Sequence, residues 1–131
     1  MENEIFDKAK KVPSERAEQI ALVSKCRKEG VFIASIPNGA KLGGNKFQEI
    51  NMLKAEGLLP GMVDLIVLLE NYAIFIEMKK QGGITSAKQK LVHEKLEELN
   101  LDVQVFYSAK EAWNYISEKR IKKVKWVTSE A

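Results

Sequence analysis

Residues 60–83 read PGMVDLIVLLENYAIFIEMKKQGG, and this stretch predicts a β-hairpin. Two runs rich in β-branched and aromatic residues, VDLIVLL (63–69) and AIFIEMK (73–79), lie on either side of a tight connection at Glu70-Asn71. Successive side chains of a strand point to opposite faces, so the length of the connection decides which residues of the two strands share a face.

Asp64 and Glu77 are the two acids that this hairpin brings together. A two-residue turn pairs Leu69 with Tyr72 and, counted outward, places Asp64 directly opposite Glu77. A four-residue loop keeps that register, whereas a loop of three or five residues does not. Directly opposed residues have Cβ atoms roughly 4.5–5.5 Å apart, and two like charges at that distance destabilise a sheet.

Lys79 shares a face with Glu77, because a single residue separates them in the predicted strand. One interpretation of this pair is a solvated surface ion pair, and the other is a face that looks into a site. Two carboxylates beside a lysine do not stabilise a fold, but a divalent cation relieves their repulsion. Mg²⁺ is held by one or two carboxylates with water and phosphate oxygens, so Asp64 and Glu77 are candidate ligands.

The rest of the chain alternates helical and extended patterns. Helices are predicted where apolar residues recur at helical spacing, and strands where short β-branched runs end at turn residues. The predicted order is helix (15–30), strand (31–36), helix (46–57), strands (63–69 and 73–79), helix (86–100), strand (103–107) and helix (108–120). This order predicts an α/β fold with a mixed sheet of about four strands flanked by helices.

Two of the helices begin with the same signal. Ser86 precedes Gln89, and Ser108 precedes Glu111, at the spacing of a capping box. In the first helix we expect one stripe of residues to face the core: Ala17, Ile20, Ala21, Val23 and Ser24.

The composition is that of one soluble globular domain, with 131 residues of which 45% are hydrophobic. Cys26 is the single cysteine, which excludes an internal disulfide and a cysteine-rich zinc site, and we expect it to be a packing residue. No apolar run is long enough to cross a bilayer and no signal-peptide core is present, so we expect a cytosolic protein. The net charge of +3 permits nucleic-acid binding without requiring it.

Five short motifs follow one another in the chain: IPNG (36–39), KAEG (54–57), PGxxD (60–64), ExK (77–79) and SxxQ (86–89). Their order and spacing resemble the VRR-NUC family, within the PD-(D/E)xK nuclease superfamily. The resemblance covers roughly residues 14–117. It implies a single VRR-NUC domain over residues 1–131 with a restriction-endonuclease-like αβββαβ core, followed by a basic tail at 118–131.

The resemblance implies a DNA endonuclease that depends on Mg²⁺ or Mn²⁺. Asp64 and Glu77 match metal-binding acids, and the backbone carbonyl of Met78 is expected as a further ligand. Lys79 matches the catalytic lysine, which would orient and help to deprotonate the attacking water or would stabilise the pentacovalent phosphate. Gln89 matches a glutamine of the next helix, although the capping box alone would also explain it.

Glu15 matches an acid of the first helix that completes the metal site in many relatives. Glu18 competes for that role, and either acid would also be favoured near a helix N-terminus by the helix dipole. Val63 departs from the family pattern, because relatives often carry proline before the aspartate. This departure affects the entry into the strand more than the chemistry.

Three lysines, Lys41, Lys46 and Lys80, are candidates for contacts with the DNA backbone, which set affinity without reading sequence. Asn38 is expected to act chiefly in the turn, although the family pattern places it near the site. His93 is the one histidine, and its charged surroundings predict a solvated or capping residue that takes no part in catalysis.

Stand-alone members of this family look like phage proteins that resemble Holliday-junction resolvases. The resemblance therefore implies a structure-selective endonuclease of branched DNA, in the cytoplasm of a bacterium or phage-infected host, without a small-molecule cofactor. It also implies a homodimer, since two-fold symmetry presents two sites to a two-fold junction. The first helix or the segment 121–127, with Trp126, is the expected contact, unless that segment is a DNA-binding arm.

Two other functions remain open from the sequence. A flap endonuclease or nickase would use the same fold and the same chemistry. A DNA-binding module would keep the fold without catalysis, but the presence of Asp64, Glu77 and Lys79 together argues against it.

Overall fold

The computed structural model describes residues 13–38 and 47–130, with side chains as far as Arg120. Within these ranges the chain forms an α/β structure of four helices and four strands. The helices are α1 (Glu15–Lys28), α2 (Phe47–Ala55), α3 (Ala87–Glu98) and α4 (Ala109–Glu130). The strands are β1 (Phe32–Ser35), β2 (Leu65–Leu69), β3 (Tyr72–Met78) and β4 (Asp102–Phe106).

The four strands form one mixed sheet in the order β1-β2-β3-β4. The first three are antiparallel to their neighbours, and β4 is parallel to β3. A parallel pair cannot be joined by a tight turn, and here α3 makes the crossover between the two strands. The predicted α/β class and the mixed sheet of four strands are therefore confirmed.

The hairpin has the register predicted from its turn. Leu69 pairs with Tyr72, and the ladder runs to the pair of Leu65 and Ile76. Asn71 adopts a positive φ of 54°, which asparagine tolerates better than most residues with a side chain. The next step beyond the ladder places Asp64 opposite Glu77.

One face of the sheet is covered by α1 and α4. The buried residues that these helices contribute are Leu22 and Cys26 from α1, and Ala112 and Ile116 from α4. They pack with alternate residues of the strands, which include Ile33, Leu65, Val67, Ile74, Ile76, Met78 and Phe106. Glu77 lies between Ile76 and Met78, so its side chain points away from this core. Cys26 is buried, as predicted, and burial raises the pKa of its thiol to about 11.

The stripe predicted for the buried face of α1 is wrong. Leu22 and Cys26 are buried, whereas Ala17, Ala21 and Ser24 are exposed and Ile20 is 59% exposed. Val23 alone of the predicted set packs against the core. Polar residues occupy the inward-facing positions of the first turns of α1, so the apolar pattern indicated a neighbouring face.

The final helix also differs from its prediction. We expect it to end at Arg120, but α4 continues to Glu130 and takes in most of the segment interpreted as a tail. No glycine or proline occurs between residues 109 and 131, so the sequence contains no stop signal for the helix. In the part of the chain that the structure describes, no helix has the length and apolar character needed to cross a membrane.

At the end of the sheet where β3 and β4 begin, a polar cluster attaches α4 to the strands. The carboxylate of Asp102 accepts hydrogen bonds from the hydroxyls of Tyr72 and Tyr115 and from the amide of Gln104. The Lys119 ammonium lies 5.6 Å and 5.3 Å from the centres of the two tyrosine rings. These contacts hold α4 at this end of the strands, whereas the acids of the hairpin lie at the other end.

Gly61, in the Pro60-Gly61 turn before β2, allows this turn to approach α3 closely. Its φ is +91°, and a Cβ added there would lie 2.8 Å from the backbone carbonyl of Lys88. A side chain is therefore excluded both by backbone conformation and by space. The contact matters for the site because Lys88 is next to Gln89 at the beginning of α3.

We expect Gly61→Ala to lower the free energy of unfolding by about 1–3 kcal/mol, because the added methyl group overpacks against backbone. Gly82→Ala is the matched control, since Gly82 also has a positive φ, of +80°, but a Cβ there would meet nothing within 4 Å. Urea denaturation of both variants separates the two effects. Equal losses in the two variants would mean that the contact with α3 contributes nothing.

Candidate active site

Three carboxylates from separate elements meet beside the hairpin. Glu15 lies in the first turn of α1, Asp64 immediately precedes β2, and Glu77 is the penultimate residue of β3. One carboxylate oxygen from each residue lies within 4.8 Å of the others. Such a group of hard oxygen donors suits Mg²⁺ or Mn²⁺.

Asp64 is held in place through both of its oxygens. Its Oδ2 accepts a hydrogen bond from the backbone N–H of Met78 (2.9 Å), and its Oδ1 accepts one from the Asn38 amide (3.4 Å). The same amide donates to the carbonyl oxygen of Met62 (3.1 Å). Asn38, which the sequence indicates chiefly as a turn residue, is therefore also a partner of the carboxylate. The backbone N–H of Met78 thus contacts Asp64, while the role of the Met78 carbonyl as a metal ligand stays a prediction.

Glu77 has no solvent-exposed surface, so the interpretation of Glu77 and Lys79 as a surface ion pair is wrong. The two charges are connected through Gln89. Its Nε2 donates to Glu77 Oε2 (3.1 Å), and its Oε1 accepts a hydrogen bond from Lys79 Nζ (2.8 Å). The three side chains form a short chain of hydrogen bonds that holds the lysine beside the acids.

Gln89 is both a helix cap and a member of this site. The Ser86 hydroxyl accepts a hydrogen bond from the Gln89 backbone N–H (3.2 Å), and Gln89 Oε1 accepts one from the Ser86 N–H (2.9 Å). The predicted capping box is therefore present. Because the box holds the side-chain oxygen of Gln89, it also aims the amide nitrogen Nε2 at Glu77.

The carboxyl of Glu77 has a pKa that is raised to about 9. Burial is the largest cause, followed by the hydrogen bond and the charge of Asp64, while the charge of Lys79 acts in the opposite direction. Without a cation, Glu77 is therefore protonated at neutral pH. A divalent cation at the three acids would supply the charge that stabilises its ionised form.

We expect the metal-free protein to lose stability as the pH rises from 7 to 8.5. The folded pKa of Glu77, about 9, exceeds the ordinary value of 4.5, so the unfolded chain binds fewer protons over this range. His93, whose folded pKa is lowered from 6.5, acts weakly in the opposite direction, because the unfolded imidazole is still about one-quarter protonated at pH 7 and loses that proton by pH 8.5. Urea denaturation in EDTA measures the slope, most of which Glu77→Gln should remove and the exposed-site control Glu94→Gln should keep. A small residual slope near pH 8.5 is expected from Cys26, whose pKa is raised from 9.0 to about 11 by burial.

The structure shows which of the two candidate acids of α1 joins the other carboxylates. Glu15 joins Asp64 and Glu77, whereas Glu18 Oε2 accepts a hydrogen bond from the backbone N–H of Ala109 (2.9 Å). Glu18 thus caps the N-terminus of α4, where a carboxylate also interacts favourably with the helix dipole. It attaches the first helix to the last.

The prediction that His93 is a solvated or capping residue is wrong. The residue is only 8% exposed, and its Nε2 lies 3.6 Å from Glu77 Oε1. Burial is the largest cause that lowers the pKa of the imidazole. The signal that could have found it is the spacing, because Gln89, Val92, His93 and Leu96 lie on one face of α3.

Of the three lysines predicted to contact DNA, only Lys80 lies among the described residues. Lys41 and Lys46 lie outside the described residues. Lys80 is exposed beside the site, and Lys79 is half-buried within it.

Comparisons of the chain with protein-family models, with curated proteins and with solved structures found no match.

Proposed function

We propose that this protein is a metal-dependent DNA endonuclease of the PD-(D/E)xK type, a phosphodiester hydrolase. The observation that carries the proposal is the arrangement at the end of the hairpin, where buried Glu77 lies beside Asp64 and Glu15 and connects through Gln89 to Lys79. A purely structural role does not account for three acids within 4.8 Å of one another. The resemblance of the motifs to VRR-NUC nucleases supports the same chemistry.

The three acids fit a divalent cation. Glu77 Oε1 is buried and has no hydrogen-bond partner among the described residues, and the raised pKa of Glu77 indicates a site that lacks positive charge. Bound there, Mg²⁺ or Mn²⁺ would neutralise phosphate charge and make a water molecule more acidic. Asp64 presents its carboxylate in a fixed orientation, because Met78 and Asn38 both donate hydrogen bonds to it.

Lys79 is the cation that the chain itself brings to the reaction. Its ammonium donates one hydrogen bond to Gln89 and carries further N–H donors that can contact a phosphate oxygen or the attacking water. Negative charge develops on the phosphate oxygens during attack, and a positioned ammonium stabilises it. Gln89 holds Lys79 near Glu77 through hydrogen bonds to both side chains, so the two groups could act on the same phosphate.

A panel of DNA substrates tests the proposal: four-way junction, flap, duplex and single strand, each with Mg²⁺, Mn²⁺ or EDTA. We expect cleavage of at least one branched substrate with either metal and none in EDTA. Binding without cleavage under every condition would instead indicate the DNA-binding module. Preference for the flap over the junction would indicate the flap endonuclease.

For the branched substrate we propose a homodimer, with α1 and β1 as the contact. The side chain of Ile20 is 59% exposed, and it lines a groove of about 500 Å³ between α1 and β1 together with Val23 and Ile33. β1 is an edge strand whose Phe32 is also exposed. The other contact predicted from the sequence, Trp126, lies outside the described side chains.

We expect light scattering at micromolar concentration to give the mass of a dimer, and Ile20→Glu to give a monomer. Leu91→Glu is the matched control, because Leu91 is similarly exposed, at 56%, on a different helix. A chain ending at Lys119 tests the contribution of the second half of α4. A full chain that is monomeric and still cuts junctions would contradict the resolvase-like proposal and favour the flap endonuclease.

A further inference from the structure

Two buried polar atoms face each other behind the carboxylate cluster. His93 Nε2 and Glu77 Oε1 lie 3.6 Å apart, and within the described residues neither has a hydrogen-bond partner. Both residues are more than nine-tenths buried. An unsatisfied buried polar group costs about 1–3 kcal/mol, so two that lie face to face require an explanation.

His93 lies outside the group of acids that can share a cation. The ligand atoms of Glu15, Asp64 and Glu77 lie within 4.8 Å of one another, and His93 is not part of this or another such group in the described ranges. The imidazole approaches the cluster at Glu77, where Nε2 lies 3.6 Å from Oε1. Its position is that of a group that holds a ligand in place, since metal-binding carboxylates are themselves usually hydrogen-bonded.

Two side chains of helix α3 approach the two carboxylate oxygens of Glu77. Gln89 donates to Oε2, and His93, four residues later on the same helical face, approaches Oε1. An ionised carboxylate only accepts hydrogen bonds, so the imidazole satisfies Oε1 when its proton is on Nε2. A small movement of either side chain shortens the 3.6 Å separation to a hydrogen bond and satisfies both atoms.

We infer that His93 is a positioning residue, whose Nε2–H donates to Glu77 Oε1 and fixes the orientation in which this carboxylate binds a divalent cation. The inference deepens the proposed function and rests on it, because it concerns the same metal site. It also assigns a role to the one histidine of the chain. The capping box and the hydrogen bonds of Gln89 do not involve this histidine.

The first test measures binding of Mn²⁺ alone to the full chain by calorimetry. We expect His93→Leu, which fills the volume without a donor, to weaken the affinity about 10- to 100-fold. His93→Gln supplies an amide N–H near the position of Nε2 and should restore most of the affinity. Glu94→Gln is the control on the same helix, where the exposed side chain should leave binding unchanged.

The second test needs no substitution. Since the chain contains one histidine, its imidazole nitrogen signals are assigned without ambiguity by NMR. With saturating Mg²⁺, which is diamagnetic, we expect the nitrogen shifts of a neutral imidazole that carries its proton on Nε2. This measurement decides the question even if His93→Leu fails to fold.

The inference is overturned if folded His93→Leu binds Mn²⁺ as the unmodified chain does, or if the Mg²⁺-loaded imidazole carries its proton on Nδ1. Both outcomes leave the metal site and the proposed function intact. If the unmodified chain binds no Mn²⁺, the metal centre itself is absent, and the proposed function fails together with the inference.

Discussion

Glu77→Gln and Asp64→Asn are each expected to reduce DNA cleavage about a thousandfold or more while DNA binding remains measurable. A divalent cation held by these acids would supply several kcal/mol of transition-state stabilisation, and each 1.36 kcal/mol corresponds to a factor of ten in rate. Both substitutions keep the shape of the side chain and one oxygen acceptor. In Asp64→Asn that oxygen can still accept the hydrogen bond from Met78, and only the longer contact with the Asn38 amide is lost, so folding should be preserved.

Single-turnover cleavage and a DNA-binding assay, made in parallel on the same preparations, measure the two effects separately. Glu18→Gln provides the comparison on α1, because Glu18 caps α4 and does not join the acids. It should change stability and leave the rate constant nearly unaltered. Full turnover by either site variant, after contaminating metal has been removed, would refute the assignment of the metal ligands.

The second large effect is expected for Lys79→Ala. We expect turnover to fall by about 10²- to 10⁴-fold, the range typical of a residue that acts in general acid–base catalysis. DNA affinity should change little, because one ammonium is a small part of the contacts that neutralise the phosphate backbone.

Lys80→Ala is the matched comparison, since Lys80 is the adjacent residue and is exposed. We expect it to leave the rate constant nearly unchanged, to weaken binding, and to reduce the slope of log affinity against log salt by about one unit. Measurement of both variants at several salt concentrations distinguishes catalysis from phosphate binding. Equal losses of turnover in the two variants would mean that the lysines have been assigned to the wrong roles.

The hairpin could be predicted from sequence because its information is local. The length of the turn and the alternation of side chains fix the register, and the structure has Leu69 opposite Tyr72 and Leu65 opposite Ile76. The capping box of Ser86 and Gln89 is equally local and is present. The placement of Asp64 beside Glu77 follows from these short-range rules alone.

The errors concern faces that only tertiary packing decides. On α1, Glu15 reaches the acids and Glu18 reaches α4, so inward-facing positions carry charge, and the apolar residues of the sequence indicated the wrong stripe. On α3, charged neighbours made His93 look solvated, although the residue is buried against Glu77. In both helices, polar residues at the candidate site obscured the apolar periodicity on which such predictions depend.

The contact between the first and last helices has a consequence for protein synthesis. Glu18 of α1 accepts its hydrogen bond from Ala109, a residue 91 positions later in the chain, and α1 and α4 share one core. A ribosome therefore makes Glu15 well before the helix α4 against which α1 packs. A nascent chain that still lacks α4 has the hairpin acids without a fixed third carboxylate. The synthesis of α4 would then determine when the proposed metal site is first complete.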